Sequence, residues 1–172
     1  VRGRGSKTAR GRPIEMEQIL DLSGLTGVNF YEPAELVLSA GAATPVFEVQ
    51  KLLADHNQHM AFEPPDLGPL LGQDQRKGSL GGLLACNLAG SRRLKVGSAR
   101  DHFLGFTAVS GRGEVFKSGG RVVKNVTGFD LSKLMAGSYG TLAVLTEVIV
   151  KVLPEPEKIR TILLIWKKQG TH

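Results

Sequence analysis

The chain has 172 residues and a formal net charge of +6, with 41% hydrophobic, 22% charged and 6% aromatic residues. Those proportions fit a soluble globular chain, long enough to bury one good core or one full domain plus the opening of another, and the second is expected. No run approaches the roughly 20 apolar residues a membrane-spanning helix requires, so no transmembrane segment is expected.

The basic residues are spread over several loops and so few aromatics leave no base-stacking platform, which argues against nucleic acid and for small phosphorylated ligands. The single cysteine, Cys86, rules out an intramolecular disulfide and a cysteine-rich metal site. His56, His59, His102 and His172 share no ligand spacing, and no metal is expected. Val1 is not an initiator methionine and no apolar signal core follows it, so the chain reads as part of a longer protein.

The first stretch, Val1-Arg2-Gly3-Arg4-Gly5-Ser6-Lys7, places glycines among hydroxyl and cationic side chains. Such a loop can curl until successive backbone N–H groups face one anion. Alone, it is equally a solvated basic tail. Residues 18–22 (Gln-Ile-Leu-Asp-Leu) read as a short strand ended by Ser23-Gly24, and residues 35–40 as another, stopped by Gly41.

Thr44-Pro45 has the cap and first-turn signature of a helix, with Glu48 near its positive end. Val46, Val49, Leu52, Leu53 and His56 recur at helical spacing and form the packed stripe, while Glu48, Lys51 and Asp55 face water. A short strand is expected at residues 60–62, broken by Pro64-Pro65-Asp66.

Residues 78–90 carry little side-chain bulk: Gly81, Gly82, Ala85 and Ala89 leave one side of a helix nearly bare, and Leu83, Leu84 and Leu88 supply the core face. Bare backbone serves close approach by a flat ligand or by another element, and both readings stand. Arg92, Arg93, Lys95 and Arg100 then crowd a loop. Arg92-Arg93 suits solvent, a cofactor phosphate or a subunit contact, and Asp101 suits a structural acceptor better than a general base.

Residues 103–109 and 114–117 form a hairpin through Gly111-Arg112-Gly113, so a mainly antiparallel sheet follows. Residues 129–136 read as a short helix packed through Phe129, Leu131, Leu134 and Met135 and ended by Gly137. Lys124-Asn125 serves either a loop conformation or a partner subunit. Residues 141–153 are the longest strand and should be central. Pro154-Glu155-Pro156-Glu157 marks a domain boundary, with a fresh strand over residues 159–166 beyond it.

Taken in order, Arg-Gly-x-Gly-Ser-Lys, Pro-Pro-Asp-x-Gly, Leu-Gly-Gly-x-x-Ala-x-Asn-x-x-Gly, Val-Val-Lys-Asn-Val-Thr-Gly-Phe-Asp and Gly-Ser-x-Gly-Thr-Leu resemble the FAD-binding domain of the vanillyl-alcohol oxidase / p-cresol methylhydroxylase (PCMH) superfamily. Within that superfamily, Arg92-Arg93 and residues 122–130 resemble the FAD-binding subunits of bacterial glycolate oxidase complexes. The resemblance implies an α+β, PCMH-type FAD-binding domain of two α/β subdomains, the second with a mainly antiparallel sheet. It would occupy residues 1–154, with structure missing before Val1, and residues 155–172 would open a truncated C-terminal cap domain.

The resemblance also implies a site. Gly3, Arg4, Gly5, Ser6 and Lys7 would hold the pyrophosphate; Pro64, Pro65, Asp66, Leu80, Gly81, Gly82, Ala85, Asn87 and Gly90 would lie along the flavin and ribityl chain; and Gly140, Thr141 and the backbone near Leu145 and Val148 would contact its other side. Many relatives attach flavin through a histidine where this loop has Ser6, so the FAD here would be non-covalent. The implied role is that of a flavin-dependent oxidoreductase subunit acting on a 2-hydroxy acid such as glycolate. A second flavoprotein subunit and an iron–sulfur subunit would be its partners, in the cytoplasm, at the inner face of the membrane where partners hold it there. No catalytic residue carries over, because the chemistry draws on the cap. The alternative is a non-enzymatic scaffold subunit that keeps the fold without flavin.

Overall fold

The computed structural model describes residues 1–12, 15, 17–120 and 128–165. Five strands form one antiparallel sheet in the order β1-β2-β6-β4-β5: β1 (Val28–Glu32), β2 (Val37–Gly41), β4 (Phe103–Ser110), β5 (Val115–Gly119) and β6 (Ala143–Lys151). The short strands β3 (Gln58–His59) and β7 (Leu153–Pro154) pair separately. The helices are short: α1 (Val46–Ala54), α2 (Leu80–Ala85), α3 (Arg93–Val96), α4 (Ala99–His102) and α5 (Leu131–Met135).

The α+β class and the antiparallel sheet are as expected, and that sheet also takes in β1 and β2 from the first half of the chain. The long strand is central, between β2 and β4. Along β6 the pairs Thr107↔Glu147 and Ala108↔Leu145 leave Thr146 as an extra residue, a bulge. The bulge lets both Leu145 and Val148 face the core despite their odd spacing, and turns the Thr146 carbonyl to accept from the Ala42 amide at 2.9 Å.

The core lies on one face of the sheet, where Leu38, Val49, Leu53, Phe62, Leu80, Leu84, Phe103, Phe106 and Val148 are buried together. Phe106 packs against Phe103 with centroids 5.9 Å apart and edge-on against Phe116 at 5.6 Å. On the opposite face, Glu147 gathers donors from three strands: the hydroxyls of Ser39 and Thr107 and the amide of Asn29. Those hydrogen bonds, the Ser39 hydroxyl foremost, hold its carboxyl below the ordinary glutamate range.

Several local expectations are corrected. Residues 18–22 form no strand; Asp21 makes one parallel bridge to Arg2, and Ile19 and Leu20 are exposed because no second strand covers them. The strand expected over residues 60–62 lies two residues earlier, at β3, and Met60, Ala61 and Phe62 bury their side chains from a turn. Residues 159–165 form no ladder and are exposed, and Trp166 lies outside the described residues.

Thr44 does not cap α1; its hydroxyl donates to the Gly41 carbonyl at 2.7 Å, and Pro45 occupies the cap position. His56 leaves the packed stripe and meets Tyr31 edge-on. Phe129 is 93% exposed and Leu134 is also exposed, so α5 packs through Leu131, Ser132 and Met135. The loop expected before Asp101 contains the one-turn helices α3 and α4. Asp101 does act as a structural acceptor, taking the Ser98 amide at 2.7 Å in a capping box. Lys124-Asn125 lies outside the described residues.

Replacing Glu147 by alanine strands the buried Ser39 hydroxyl and should cost about 1–3 kcal/mol in urea unfolding. Since the folded pKa of Glu147 is depressed, its contribution is complete above the unfolded carboxyl value and disappears as pH falls through the folded one. The wild-type advantage over Glu147→Ala should therefore shrink on acidification below about pH 4.5. An equal advantage at pH 7 and pH 3 would contradict this.

Candidate cofactor cleft

The sequence around Gly81 forces helix and sheet together. Ser79 accepts from the Gly82 amide and caps α2. The Leu80 and Gly81 amides donate to the carbonyls of Thr44 at 2.9 Å and Ala42 at 2.8 Å. A methyl group on Gly81 would sit 2.7 Å from the Ala42 Cβ and 2.8 Å from its carbonyl oxygen. Gly81 is therefore a packing glycine, and Leu80 beside it is fully buried.

Gly82 has a different neighbourhood. Its missing Cβ would lie 2.9 Å from the Ser79 hydroxyl and 3.4 Å from the Lys7 ammonium. The first loop thus folds over the start of α2, where Gly3 abuts Ser79 and Gly5 adopts a left-handed φ of +72°. The loop is tied down by the Arg2–Asp21 ion pair at 2.7 Å and by the Arg2 amide donating to the Leu20 carbonyl at 2.8 Å. Ser6 is buried, and Lys7 donates to its hydroxyl at 3.3 Å. Arg4 stays exposed.

Ser6 and Lys7 open onto a cleft of about 210 Å³ shared with Val46, Phe47 and Gln50 of α1, the turn at Pro64, Pro65, Asp66 and Leu67, and Arg76, Gly78, Leu83 and Leu88. Most of the lining is apolar, with Lys7 and Arg76 as its cations and Asp66 as its carboxylate. None of the ion pairs among the described residues includes Lys7. Burial lowers its pKa, opposed by the nearby Cys86 and Asp66 and reinforced by Arg10. Burial likewise pushes the Cys86 thiol up, so it remains a small, half-buried neutral group.

The other sequence-predicted residues divide by position. The Asp66 carboxylate accepts from the Gly68 amide at 3.1 Å and the Arg76 amide at 2.8 Å, which shapes the cleft rim. Ala85 receives the Tyr139 amide on its carbonyl at 2.9 Å, bringing the loop of Gly140 and Thr141 to the end of α2, where the Tyr139 ring lies under Arg10 at 5.2 Å. Gly140 needs its φ of +77°, and the Thr141 hydroxyl donates to the Ser138 carbonyl at 2.7 Å.

Asn87, at φ +49°, accepts the Arg100 amide at 2.9 Å. Gly90 is a packing position, since its Cβ would meet that of Glu63 at 2.7 Å. Leu145 and Val148 lie in the core, away from the cleft lining. Arg92 pairs with Glu63 at 3.8 Å, and Arg93 is exposed. The α1 residues Phe47 and Gln50 were not anticipated, although an aromatic lying off the packed stripe of α1 was a readable sign of a second apolar surface.

A desolvated ammonium beside a hydroxyl, with bare backbone at Gly82 and apolar walls, suits a ligand that joins an anionic group to a flat or apolar one. The family model described as FAD binding domain matches residues 1–119. The chain belongs to the FAD binding domain family.

Among proteins similar to this family member, glycolate oxidase subunit GlcE of Escherichia coli is 43% identical over 91% of this chain and 42% of its own length. Glycolate oxidase subunit GlcD of Bacillus subtilis is 38% identical over 62% of this chain and 22% of its own. An FAD-linked oxidoreductase of Mycobacterium tuberculosis is 32% identical over 95% of this chain and 34% of its own. The chain thus spans less than half the length of these relatives. A solved structure of alkyldihydroxyacetonephosphate synthase superposes with a TM-score of 0.61 at 22% identity, covering 78% of this chain and 22% of that one, and shows the same fold.

The two adjacent glycines should separate experimentally. Gly81→Ala overpacks the seam against Ala42 and should lower stability by about 1–3 kcal/mol. Gly82→Ala disturbs the Ser79 cap, a loss of about 1 kcal/mol, and should chiefly impair ligand binding. Thermal melts and FAD titrations on the two variants distinguish these outcomes: Gly82→Ala destabilised more than Gly81→Ala, or binding FAD as well as wild type, would contradict the assignment.

Proposed function

We propose that this chain is the cofactor-binding part of a flavin-dependent oxidoreductase subunit, one that binds FAD non-covalently in a glycolate (2-hydroxy-acid) oxidase or dehydrogenase. The observation that carries the reading is the half-buried Lys7 ammonium, without an ion pair among the described residues, at one end of an apolar cleft in an FAD-binding-domain fold. The similarity to two glycolate oxidase subunits supports the substrate class.

In this reading Gly3, Gly5 and Ser6 present donors to the pyrophosphate, Lys7 supplies its counter-charge, and the bare backbone at Gly82 leaves room for it. Pro64, Pro65, Leu83 and Leu88 exclude water from the apolar part of the cofactor. FAD, when bound, supplies the two-electron acceptor for a 2-hydroxy acid. The cleft volume of about 210 Å³ lies below the ~300 Å³ at which pockets for drug-sized ligands begin, so it takes one portion of FAD. Tyr139, whose amide donates to the Ala85 carbonyl, holds Gly140 and Thr141 near the end of α2, and in this reading they and Asn87 would follow the remainder.

Ser6 gives no nitrogen for a covalent flavin link. The partners in this reading are a second flavoprotein subunit and an iron–sulfur subunit, with a cytoplasmic location. Residues from 155 onward open a cap domain, a reading supported by the exposure of Ile159, Ile162, Leu163, Leu164 and Ile165. No helix among the described residues is long and apolar enough to cross a membrane.

Full-length protein should purify yellow or take up close to one FAD per chain, with all flavin released on acid precipitation. Gly5→Val, which forces a β-branched residue to positive φ, should abolish uptake. Ser6→Ala should weaken it by about tenfold or more, as expected for loss of one hydrogen bond to a charged group. A colourless protein that takes up no FAD, in a complex whose activity is indifferent to both substitutions, would instead identify a scaffold subunit.

A further inference from the structure

We propose that the cleft takes up a proton at Lys7 together with its anionic ligand, so that affinity for a pyrophosphate-bearing cofactor falls as pH rises through the alkaline range. The inference rests on the reading of this cleft as the flavin site and concerns how that site is regulated.

The geometry places the ammonium where its charge is poorly compensated. Its one described hydrogen bond, at 3.3 Å, goes to the neutral hydroxyl of Ser6. The bare Gly82 backbone of α2 lies on one side and the Pro64-Pro65 turn on another. The ionisable groups around it come from each packed element: Arg10 from its own loop, Cys86 at the end of α2, and Asp66 and Arg76 on the cleft rim. Asp66 is committed to the amides of Gly68 and Arg76, so it shapes the rim without pairing with the lysine. The Arg10 guanidinium lies over the Tyr139 ring.

Desolvation favours the neutral amine in the empty cleft, as the lowered pKa of Lys7 reflects. A phosphate oxyanion beside the ammonium reverses that balance and raises the pKa. Between the two values the empty protein lacks a proton that the complex holds, so binding carries one proton in. Affinity is then flat below the empty-cleft pKa and falls by up to about tenfold per pH unit above it. Cys86 is the competing explanation, because a thiolate beside the site would also repel an anion, and its burial opposes that ionisation.

The test is an FAD titration of the full-length apoprotein, read by flavin fluorescence, from about pH 7 to pH 10, the interval below the ordinary lysine value. Wild type should lose affinity steadily across the upper part of that range. Lys7→Arg, charged throughout, should bind with a much flatter profile. Lys7→Gln should bind weakly at every pH, and Cys86→Ser should keep the wild-type slope. Titration of FAD itself is common to all four proteins and cancels in the comparison. Equal slopes for wild type and Lys7→Arg, or a flat profile for Cys86→Ser, would overturn the linkage while leaving the flavin reading intact. Absence of FAD binding to wild type at any pH would overturn both.

Discussion

The structure depends on the backbone contact between Gly81 and Ala42. Because no side chain intervenes, the first turn of α2 lies directly on the turn that follows β2, with two amides donating to the carbonyls of Ala42 and Thr44. That contact places Ser79 and Gly82 at the surface of the seam, and it is there that the first loop can fold back over the helix. The β6 bulge serves the same end, since the Thr146 carbonyl it turns out fixes Ala42 from the other side. Sheet, helix and loop are thereby set in relative position by main-chain groups, which tolerate little displacement.

The cleft that results combines two environments that oppose each other. Apolar walls and burial favour neutral groups, yet Lys7 is held there as a cation beside a neutral hydroxyl. Such an arrangement is destabilising by itself and is relieved by an anion. The fold stabilises itself elsewhere, through the Phe103–Phe106–Phe116 cluster and through the Glu147 network across the opposite face of the sheet. Neither cluster lines the cleft, whereas Val46, Leu83 and Leu88 both line it and pack on the core, so substitutions in the two clusters should be largely additive with those at Ser6 or Lys7.

Much of this was legible in the residues. Ser6 and Lys7 of the first loop and the Pro-Pro-Asp turn stood out in the sequence and line the cleft, and residues 141–153, rich in Val and Leu, marked the central strand. What the sequence left open was which of the two glycines packs against Ala42 and which lies beside the first loop. Both lack a side chain for the same local reason, and only the position of Ala42 against Gly81, and of Lys7 against Gly82, separates them. Residues 18–22 had strand composition but no second partner, so a single bridge formed in place of a ladder. Thr44 looked like a helix cap, but Gly41 offered its carbonyl at closer range. Phe129 fitted a helical stripe by spacing, yet α5 begins two residues later and leaves it outside.

In the proposed reading the first loop and the start of α2 together form the cofactor cradle. Hydrogen exchange of the full-length apoprotein, with and without FAD, addresses it at the level of single amides. Protection should rise at Gly3, Gly5, Ser6, Lys7 and Gly82, while the already buried amides of β6 change little. Protection gained elsewhere, with the loop exchanging as fast with FAD as without it, would contradict the account.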